Sequence, residues 1–337
     1  MWNRWIETRK ENIHLEYNKV RKKVKEESRR LISQEQNNIA KLSKTNPKKF
    51  WQYIKSKSTS STNIGDLKWV DKNGIERAAE TDAEKASALE EFFSSVFTKE
   101  GEQDFENLQN KTVKEKMTEL VLTKEMILLK LSKLKIDKSP GVDLLHPRVL
   151  FECREVLALP LMIIFNKSLS TGCVPDDWKK AEVVALYKKG SRSDRGNYRP
   201  VSLTCICCKI QESFIRDHVM NFVLQNKFLS NKQYGFVKGR STMLQLLHML
   251  DKWTDYLEDG GQIDAIYTDF EKAFDKVPHK RLISKLKSYG INAQLVSWVQ
   301  NFLLNRKQLI RVNQSGVKSQ AVSHKAVSWD LFCLFYI

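Results

Sequence analysis

The sequence predicts an α+β chain in which helices pack on a small, mostly antiparallel sheet. The 337 residues are 41% hydrophobic and 10% aromatic, which is enough apolar material to build at least one core. Segments with helical spacing alternate with short β-branched runs, and turn sequences separate them. This mixture of helices and hairpin strands is typical of the α+β class.

Composition excludes several classes of protein. No run approaches the roughly 20 apolar residues that span a bilayer, and the first residues hold no apolar signal core, so we expect an intracellular protein, nuclear or cytoplasmic, with no membrane partner. The six cysteines form no set of CxxC pairs and no histidine cluster accompanies them. We therefore expect neither a metal cluster nor a disulfide framework, and predict that the cysteines fill small apolar spaces. A formal net charge of +17 favours a polyanionic partner.

The positive charge is concentrated at the two ends of the chain. Residues 1–60 carry net +10, residues 61–120 net −6 and the remainder net +13. In the first block, apolar residues at spacings of 4, 3, 4 and 7 predict one long, mostly solvated helix: Ile13, Tyr17, Val20, Val24 and Leu31. Two roles stay open for this helix, a charged surface helix or short coiled coil, and an arm that grips nucleic acid.

The following elements are predicted from turn and capping signals. The Ser/Thr-rich run Ser56–Thr62 indicates a linker. A hairpin at Leu67–Arg77 turns at Asn73-Gly74, and a helix covers Thr81–Thr98. Thr123 caps a helix that extends to Leu134.

From about residue 122 the sequence predicts compact elements separated by turns. The predicted helices are His146–Thr171, Ile206–Leu224 and Ser241–Leu257, and the predicted extended segments are Ala181–Tyr187, Val201–Leu203 and Gln262–Asp269.

The last of these segments ends in a carboxylate. Alternation places Ile263, Ala265, Tyr267 and Asp269 on one face. Two-metal phosphoryl transfer needs a carboxylate on a rigid element that bridges two divalent ions. A strand-end aspartate also commonly serves a turn or caps a helix, so position alone leaves both roles open.

Four sequence blocks carry a family resemblance, and they occur in the family's order. The blocks are Lys138–Asp143 (KSPGVD), Trp178–Lys188 with Asn197–Leu203 (NYRPVSL), Gln233–Ser241 (QYGFVKGRS) and Tyr267–Asp275 (YTDFEKAFD). From Lys138 to about Val312 the chain resembles the reverse transcriptase domain of non-LTR, LINE-type retrotransposons. The resemblance implies a polymerase-like fold, with fingers and the first part of a palm, preceded by a basic helical linker.

The resemblance also implies partners and residue roles. The reaction would be RNA-directed DNA polymerisation at a nicked target, with an RNA template, a DNA primer, dNTPs and Mg²⁺. Asp269 would be the first metal-binding carboxylate, and the backbone carbonyl of Phe270 would complete the metal shell. Phe274 would lie under the incoming sugar and exclude a 2′-hydroxyl. Lys188 and Arg199 would hold the triphosphate, and solvated loop charge is their alternative role.

A second pair of aspartates, which the family writes as YADD or FADD, is not found in these 337 residues. After Asp275, which we expect to cap the following helix, only Asp330 remains, and Asp176-Asp177 lies in an upstream turn. A single carboxylate binds Mg²⁺ weakly, because the ion keeps its waters unless several anionic ligands converge. We therefore expect weak metal binding, no polymerisation by the chain as written, and an exposed apolar face on the strand of Asp269.

Residues 320–331 (QAVSHKAVSWDL) indicate a shifted reading frame. The family has a segment like TSGVPQGSVLGP at this point, and one set of codons for that segment, read one base later, encodes all twelve observed residues. We hypothesise that the frame slips shortly before Gln320 and that the chain is a truncated fragment. Sequencing the locus and its transcript tests this.

Together these patterns predict four segments and leave two rival functions. The segments are a basic helical linker at 1–60, an acidic connecting region at 61–122, a reverse transcriptase domain at 123–319 and a frame-shifted tail at 320–337. One rival is a non-catalytic, basic, nucleic-acid-binding remnant. The other is an active enzyme whose gene model is wrong.

Overall fold

A computed structural model describes residues 6, 9–57, 64–71, 73–98, 100–101, 111–273, 275–312 and 318–321. The chain divides into two compact units, residues 1–62 and 63–337. Among the described helices, none combines the length and the apolarity needed to cross a membrane.

The first unit is a pair of helices. Helix α1 (Glu11–Leu42) has no buried residue, and helix α2 (Pro47–Lys57) packs back on it, where the Gln36 amide donates to the Tyr53 hydroxyl (3.0 Å). The predicted long, solvated helix is confirmed. Most of the predicted linker, residues 58–62, lies outside the described residues.

The second unit mixes helices and strands, which confirms the α+β class. Its helices are α3 (Asp82–Ser95), α4 (Lys124–Ser132), α5 (Pro147–Glu152), α6 (Arg154–Thr171), α7 (Ile206–Gln225), α8 (Thr242–Glu258), α9 (His279–Ser288) and α10 (Ala293–Leu303). Its strands are β1 (Leu67–Val70), β2 (Glu76–Ala79), β3 (Lys180–Tyr187), β4 (Tyr198–Thr204), β5 (Lys307–Arg311) and β6 (Lys318–Ala321).

The strands form two sheets. The β1–β2 hairpin turns through Gly74, which has a φ of +78°. The larger sheet has the order β4-β3-β5-β6, in which β3 and β5 are parallel and the other neighbours antiparallel. Capping side chains start the predicted helices: Thr81 forms a capping box with Glu84 on α3, and Thr123 accepts from the Met126 N–H on α4.

Two hydrophobic cores hold this unit. The larger is helical and includes Phe165, Ile215 and Trp298, each fully buried. The smaller lies between the β1–β2 hairpin, α3 and one face of the larger sheet, and includes Leu89 and Val183. The sheet is thus anchored on a small core of its own, beside the helical core.

The guanidinium of Arg306, just before β5, is fully buried. It donates to the Phe302 carbonyl (3.2 Å) and lies 4.3 Å from the centroid of the Phe302 ring. Burial lowers the pKa of Arg306, while the nearby Cys208 and Glu212 act in the opposite direction. These contacts fix the start of β5 against α7 and α10.

The predicted single helix at His146–Thr171 is wrong, because the chain breaks at Cys153 into α5 and α6. Cys153 has φ −91° and ψ 13°, outside the helical range, and the Arg154 side chain donates to the Phe151 carbonyl (2.8 Å). Leu150 and Ala158 are both buried.

The predicted strand Gln262–Asp269 is also wrong. Residues 261–270 form neither helix nor strand, and no described strand pairs with them. A strand needs a hydrogen-bonded neighbour, so alternation alone does not make one. Ile266 is 88% exposed and Tyr267 82% exposed, which confirms that apolar side chains are uncovered here.

The predicted role of the cysteines is confirmed in part. Cys205, Cys207 and Cys208 are buried at the start of α7, whereas Cys153 and Cys173 are exposed and fill no apolar space. Cys333 lies outside the described residues.

The block Lys138–Asp143 makes a close backbone contact through Gly141. A Cβ on Gly141 would lie 2.5 Å from the Thr204 carbonyl oxygen and 2.8 Å from the Cys205 nitrogen. These are backbone atoms at the junction of β4 and α7, so they cannot rotate away. Glycine is required here because of space.

We predict that Gly141→Ala lowers the free energy of unfolding by about 1–3 kcal/mol, the usual range for overpacking. Gly65→Ala is the matched control, because a Cβ there meets nothing within 4 Å, and it should change stability by less than about 0.5 kcal/mol. Urea unfolding of the two variants measures the difference. Equal stabilities would contradict the steric argument.

Candidate nucleotide and catalytic site

The β3–β4 hairpin brings Lys188 and Arg199 together. Leu186 pairs with Arg199 across the strands, so these side chains share a face. The Lys188 N–H donates to the Asn197 carbonyl (2.9 Å), which continues the ladder and puts Lys188 on that same face. Lys188 and Arg199 are diagonal neighbours, a separation of about 7–8 Å in such pairs. Both side chains are exposed.

The loop that closes this hairpin is held by its own hydrogen bonds. The Asn197 amide donates to the Ser191 carbonyl (3.0 Å), and the Tyr198 hydroxyl donates to the Arg192 carbonyl (2.7 Å). Burial raises the pKa of the Tyr198 phenol, so it remains a neutral donor. The Arg192 guanidinium lies 4.9 Å from the Tyr187 ring centroid. These contacts therefore hold the basic loop in its conformation.

Arg311 extends the basic face of the sheet and was missed in the sequence. It pairs with Val184 in the parallel β3–β5 ladder and forms an ion pair with the buried Glu182 (2.8 Å). Its side chain is 44% exposed, so a part of the guanidinium faces solvent. No sequence signal could find it, because a parallel pairing between segments more than 100 residues apart has no local pattern.

Asp269 and Phe270 lie in the irregular segment that follows α8. Both are exposed, and Phe270 is 71% exposed. In the described part of the chain Asp269 makes no hydrogen bond or ion pair with Lys188 or Arg199. Phe274 lies outside the described residues.

The expectation that Asp275 caps the next helix is wrong. Helix α9 has Pro278 at its N-cap position with no side-chain cap, and the Glu100 carboxylate instead accepts from the Lys280 N–H (3.0 Å to each oxygen). Burial raises the pKa of Asp275, with Lys272 opposing the shift. A carboxylate 180 residues away in sequence thus takes the capping role.

Helix α3 joins the hairpin loop to the turn after Asp269. Arg195 in the loop donates to the Glu91 carboxylate (2.7 Å), and its guanidinium lies 6.0 Å from the Phe92 ring. Lys272, in the turn, places its ammonium 4.7 Å from the same ring. Phe92 is therefore a shared support for the candidate triphosphate-binding hairpin and for the segment of Asp269.

The turn itself has a strained residue and an ion pair. Lys272 has a φ of +48°, which is uncommon for a residue with a side chain. Glu271 pairs with Lys276, and that hydrogen bond is the main cause of the lowered pKa of Glu271. The Thr98 hydroxyl donates to the Lys276 carbonyl (2.8 Å), which ties the turn to the end of α3.

The described residues do not assemble a metal site. Nowhere among them do three or more His, Cys, Asp or Glu side chains converge in a ligating arrangement. Asp269 with the Phe270 carbonyl would supply two oxygen ligands, fewer than a divalent ion of this type takes. The carboxylates of Asp176-Asp177 form local ion pairs: Asp177 pairs with Lys180 (2.7 Å) and Asp176 with Lys179 (3.7 Å).

The block Gln233–Ser241 forms a loop organised by Arg240. The Arg240 guanidinium donates to the Asn231 carbonyl (2.9 Å) and to the Gln233 carbonyl, and it lies 5.6 Å from the Tyr234 ring. Ser241 then caps α8 by accepting from the Leu244 N–H (3.2 Å). The arginine of this block is thus a structural side chain in this fold.

The class of protein follows from the segment that contains this hairpin and turn. Residues 186–326 match the family described as reverse transcriptase (RNA-dependent DNA polymerase). Over this segment the chain is similar to the reverse transcriptases. All of the site residues predicted from the sequence lie within the match: Lys188, Arg199, Asp269, Phe270 and Phe274.

The curated relatives that the chain matches come from transposable elements. The chain is 29% identical over 192 residues to a probable RNA-directed DNA polymerase from transposon BS of Drosophila melanogaster, a match covering 57% of this chain and 21% of the relative. It is 30% identical over 190 residues to the RNA-directed DNA polymerase from the mobile element jockey of the same fly, covering 56% and 20%. A putative 115 kDa protein of the type-1 retrotransposable element R1DM is 27% identical over 198 residues, covering 56% and 18%.

These matches confirm the resemblance to non-LTR, LINE-type retrotransposons. The matched part of the chain spans about a fifth of the length of each relative. The family as a whole uses divalent metal ions and acts on nucleic acid with nucleotide substrates.

We predict that Phe92→Leu loosens both segments that Phe92 supports. Losing the ring removes two cation–π contacts, each worth about 0.5–1 kcal/mol at exposed sites. Hydrogen exchange of residues 191–197 and of the turn around Lys272 should accelerate together, while α4, in the larger helical core, stays unchanged. Phe92→Tyr keeps a ring and is the matched control. Equal exchange rates in the two variants would contradict the role of the ring.

Proposed function

We propose that this chain supplies the fingers and the first palm segment of an RNA-directed DNA polymerase from a non-LTR retrotransposon. The observation that carries the proposal is that one reverse transcriptase match, residues 186–326, contains the hairpin bearing Lys188 and Arg199 and also Asp269. An RNA template, a DNA primer and dNTPs are the proposed partners, and Mg²⁺ is the proposed ion.

In this proposal Lys188 and Arg199 hold the triphosphate. They share one exposed face of the hairpin, and in the described part of the chain neither has a carboxylate within 4.0 Å. Arg199 suits bidentate contact with phosphate oxygens, and Lys188 adds a point charge. The closed loop limits their motion, so less freedom is lost when a triphosphate binds.

Asp269 is the proposed first metal-binding carboxylate, with the Phe270 carbonyl beside it and Phe274 against the sugar. The exposure of Asp269 is compatible with further ligands approaching it. Because a single carboxylate holds Mg²⁺ weakly, we infer that these 337 residues by themselves do not polymerise.

The second candidate function is nucleic-acid binding without catalysis. The observation in its favour is the net charge of +17, which supports electrostatic binding that is insensitive to sequence. Steep weakening of binding with salt, and no nucleotide incorporation, would distinguish it from polymerase activity.

We predict that Arg199→Ala weakens binding of a fluorescent dNTP about tenfold, since a charge-assisted contact contributes roughly 1.5 kcal/mol or more. Arg199→Lys should be intermediate, because the charge remains and the bidentate geometry is lost. Lys189→Ala removes the same charge beside the hairpin and should change the Kd less than twofold. Equal losses in Arg199→Ala and Lys189→Ala would show a general charge effect and contradict the assignment.

We predict that the 337-residue chain gives no primer extension on an RNA template. A version in which the reading frame is restored before Gln320, and continued downstream, should extend the primer, and Asp269→Ala should abolish that extension. Incorporation by the 337-residue chain that depends on Asp269 would contradict the inactivity. A restored frame without YADD-like codons would contradict the frame hypothesis.

A further inference from the structure

A groove between α4 and α7 forms a basic concavity outside the candidate site. One cavity of about 430 Å³ is rimmed by five lysines: Lys130, Lys133, Lys135, Lys138 and Lys209. Its floor is apolar and comprises Leu134, Pro147, Ile206 and Ile210. Basic rims over an apolar floor combine electrostatic attraction with a surface on which bases can lie.

A second cavity of about 350 Å³ continues the groove along α7. Both cavities share Lys130 and Lys133. The first is lined by α7 residues 206, 209, 210 and 213, and the second by 214, 217, 218 and 221, which is one helical face. At 1.5 Å per residue this face is about 22 Å long.

Lys130 crosses the groove where the two cavities meet. Its ammonium donates to the Asp217 carboxylate (2.9 Å) and lies 5.1 Å from the Phe214 ring centroid. The other four lysines are exposed, and none lies within 4.0 Å of a carboxylate in the described part of the chain. Counting Asp137 in the same loop and Asp217, five positive and two negative charges leave a net charge of +3 at the groove.

The groove is separate from the proposed triphosphate site. Arg199 lies near the start of β4, whereas the groove begins at Ile206, just past the end of that strand. Thr204 lies five residues beyond Arg199 along the strand, a distance of about 17 Å. A nucleotide bound at the hairpin therefore does not fill the groove.

We propose that this lysine-rimmed groove binds the phosphate backbone of a single-stranded nucleic acid. The inference rests on the proposed function, which requires a polyanionic partner. The groove would give that partner a second contact, away from the nucleotide. The concave shape suits one extended strand, whereas a folded acidic protein needs an interface of about 1,000 Å². Lysines provide point charges that track phosphates without reading sequence.

The test compares two triple variants of the full chain for binding to a fluorescein-labelled oligouridylate over a range of salt. Lys133→Gln/Lys135→Gln/Lys138→Gln should reduce the slope of log K against log[salt] by about 2, since each phosphate contact on a single strand contributes about 0.7. Lys114→Gln/Lys116→Gln/Lys287→Gln removes the same charge from exposed positions outside the groove and should leave the slope unchanged.

Equal slopes for the two triple variants would overturn the groove. If the wild-type chain shows no salt-dependent binding at all, the proposed function fails along with the groove. If the wild-type chain binds and the groove variant keeps the wild-type salt slope, the groove proposal fails and the proposed function is not affected. If polyglutamate binds the wild-type chain as tightly as oligouridylate and is equally weakened by the groove variant, the partner is an acidic protein and the proposal is wrong.

A measurement on the wild-type chain avoids any folding defect in the variants. Reductive methylation with saturating oligouridylate should protect Lys133, Lys135, Lys138 and Lys209. The control lysines Lys114, Lys116 and Lys287 should react at the same rate with and without it. Protection of the control lysines would overturn the site, and so would a lack of protection at all four groove lysines.

Discussion

Strand β3 hydrogen-bonds to β4 on one side and to β5 on the other, and its two faces meet different surroundings. Val183 and Ala185 point into the smaller core, while Glu182 faces the opposite side and pairs with Arg311. A slip of one residue would exchange these faces, so burial of Val183 and Ala185 sets the register. Through that register, Arg199 and Arg311 emerge on the same side of the sheet.

The acidic connecting region does more than link its neighbours, because it makes specific contacts with other segments of the chain. Helix α3 carries Glu91 and Phe92, which hold the β3–β4 loop through Arg195 and the turn after Asp269 through Lys272. Glu100, in the segment just after α3, caps α9 from outside that helix. The negative charge of this region is therefore used in specific contacts with basic residues of the polymerase-like part. The proposed nucleotide and catalytic segments share one support.

The roles proposed for the exposed segment of Asp269 and for the basic groove need different amounts of surrounding structure. The groove is complete in the described residues, because α4 and α7 supply both walls and the lysines that rim it. Asp269 instead lies on an irregular, uncovered segment that lacks a neighbouring strand in the described part of the chain. Holding a nucleic-acid strand needs only charge and shape, whereas two-metal chemistry needs several carboxylates at fixed distances. On this physical ground, binding is the less demanding of the two proposed properties.

Local sequence was sufficient for the elements that depend on neighbouring residues. Thr81 and Thr123 mark helix starts, Asn73-Gly74 marks a hairpin, and the β-branched run of β3 marks a strand, because caps, turns and alternation act over a few residues. The similarity to reverse transcriptases over residues 186–326, and the proposed roles of Lys188, Arg199 and Asp269, also came from the four blocks. The diagonal placement of Lys188 and Arg199 follows from the hairpin.

Contacts between distant segments required the folded structure. The parallel pairing that brings in Arg311, the cap supplied by Glu100 and the support from Phe92 all join residues more than 100 positions apart, and no spacing rule encodes them. The same reason explains the error at 262–269, which alternates like a strand but has no pairing strand in the described part of the chain. The helix predicted at 146–171 breaks at Cys153. Short-range patterns decide which elements can form, and long-range packing and hydrogen bonding decide which of them do form and which side chains meet.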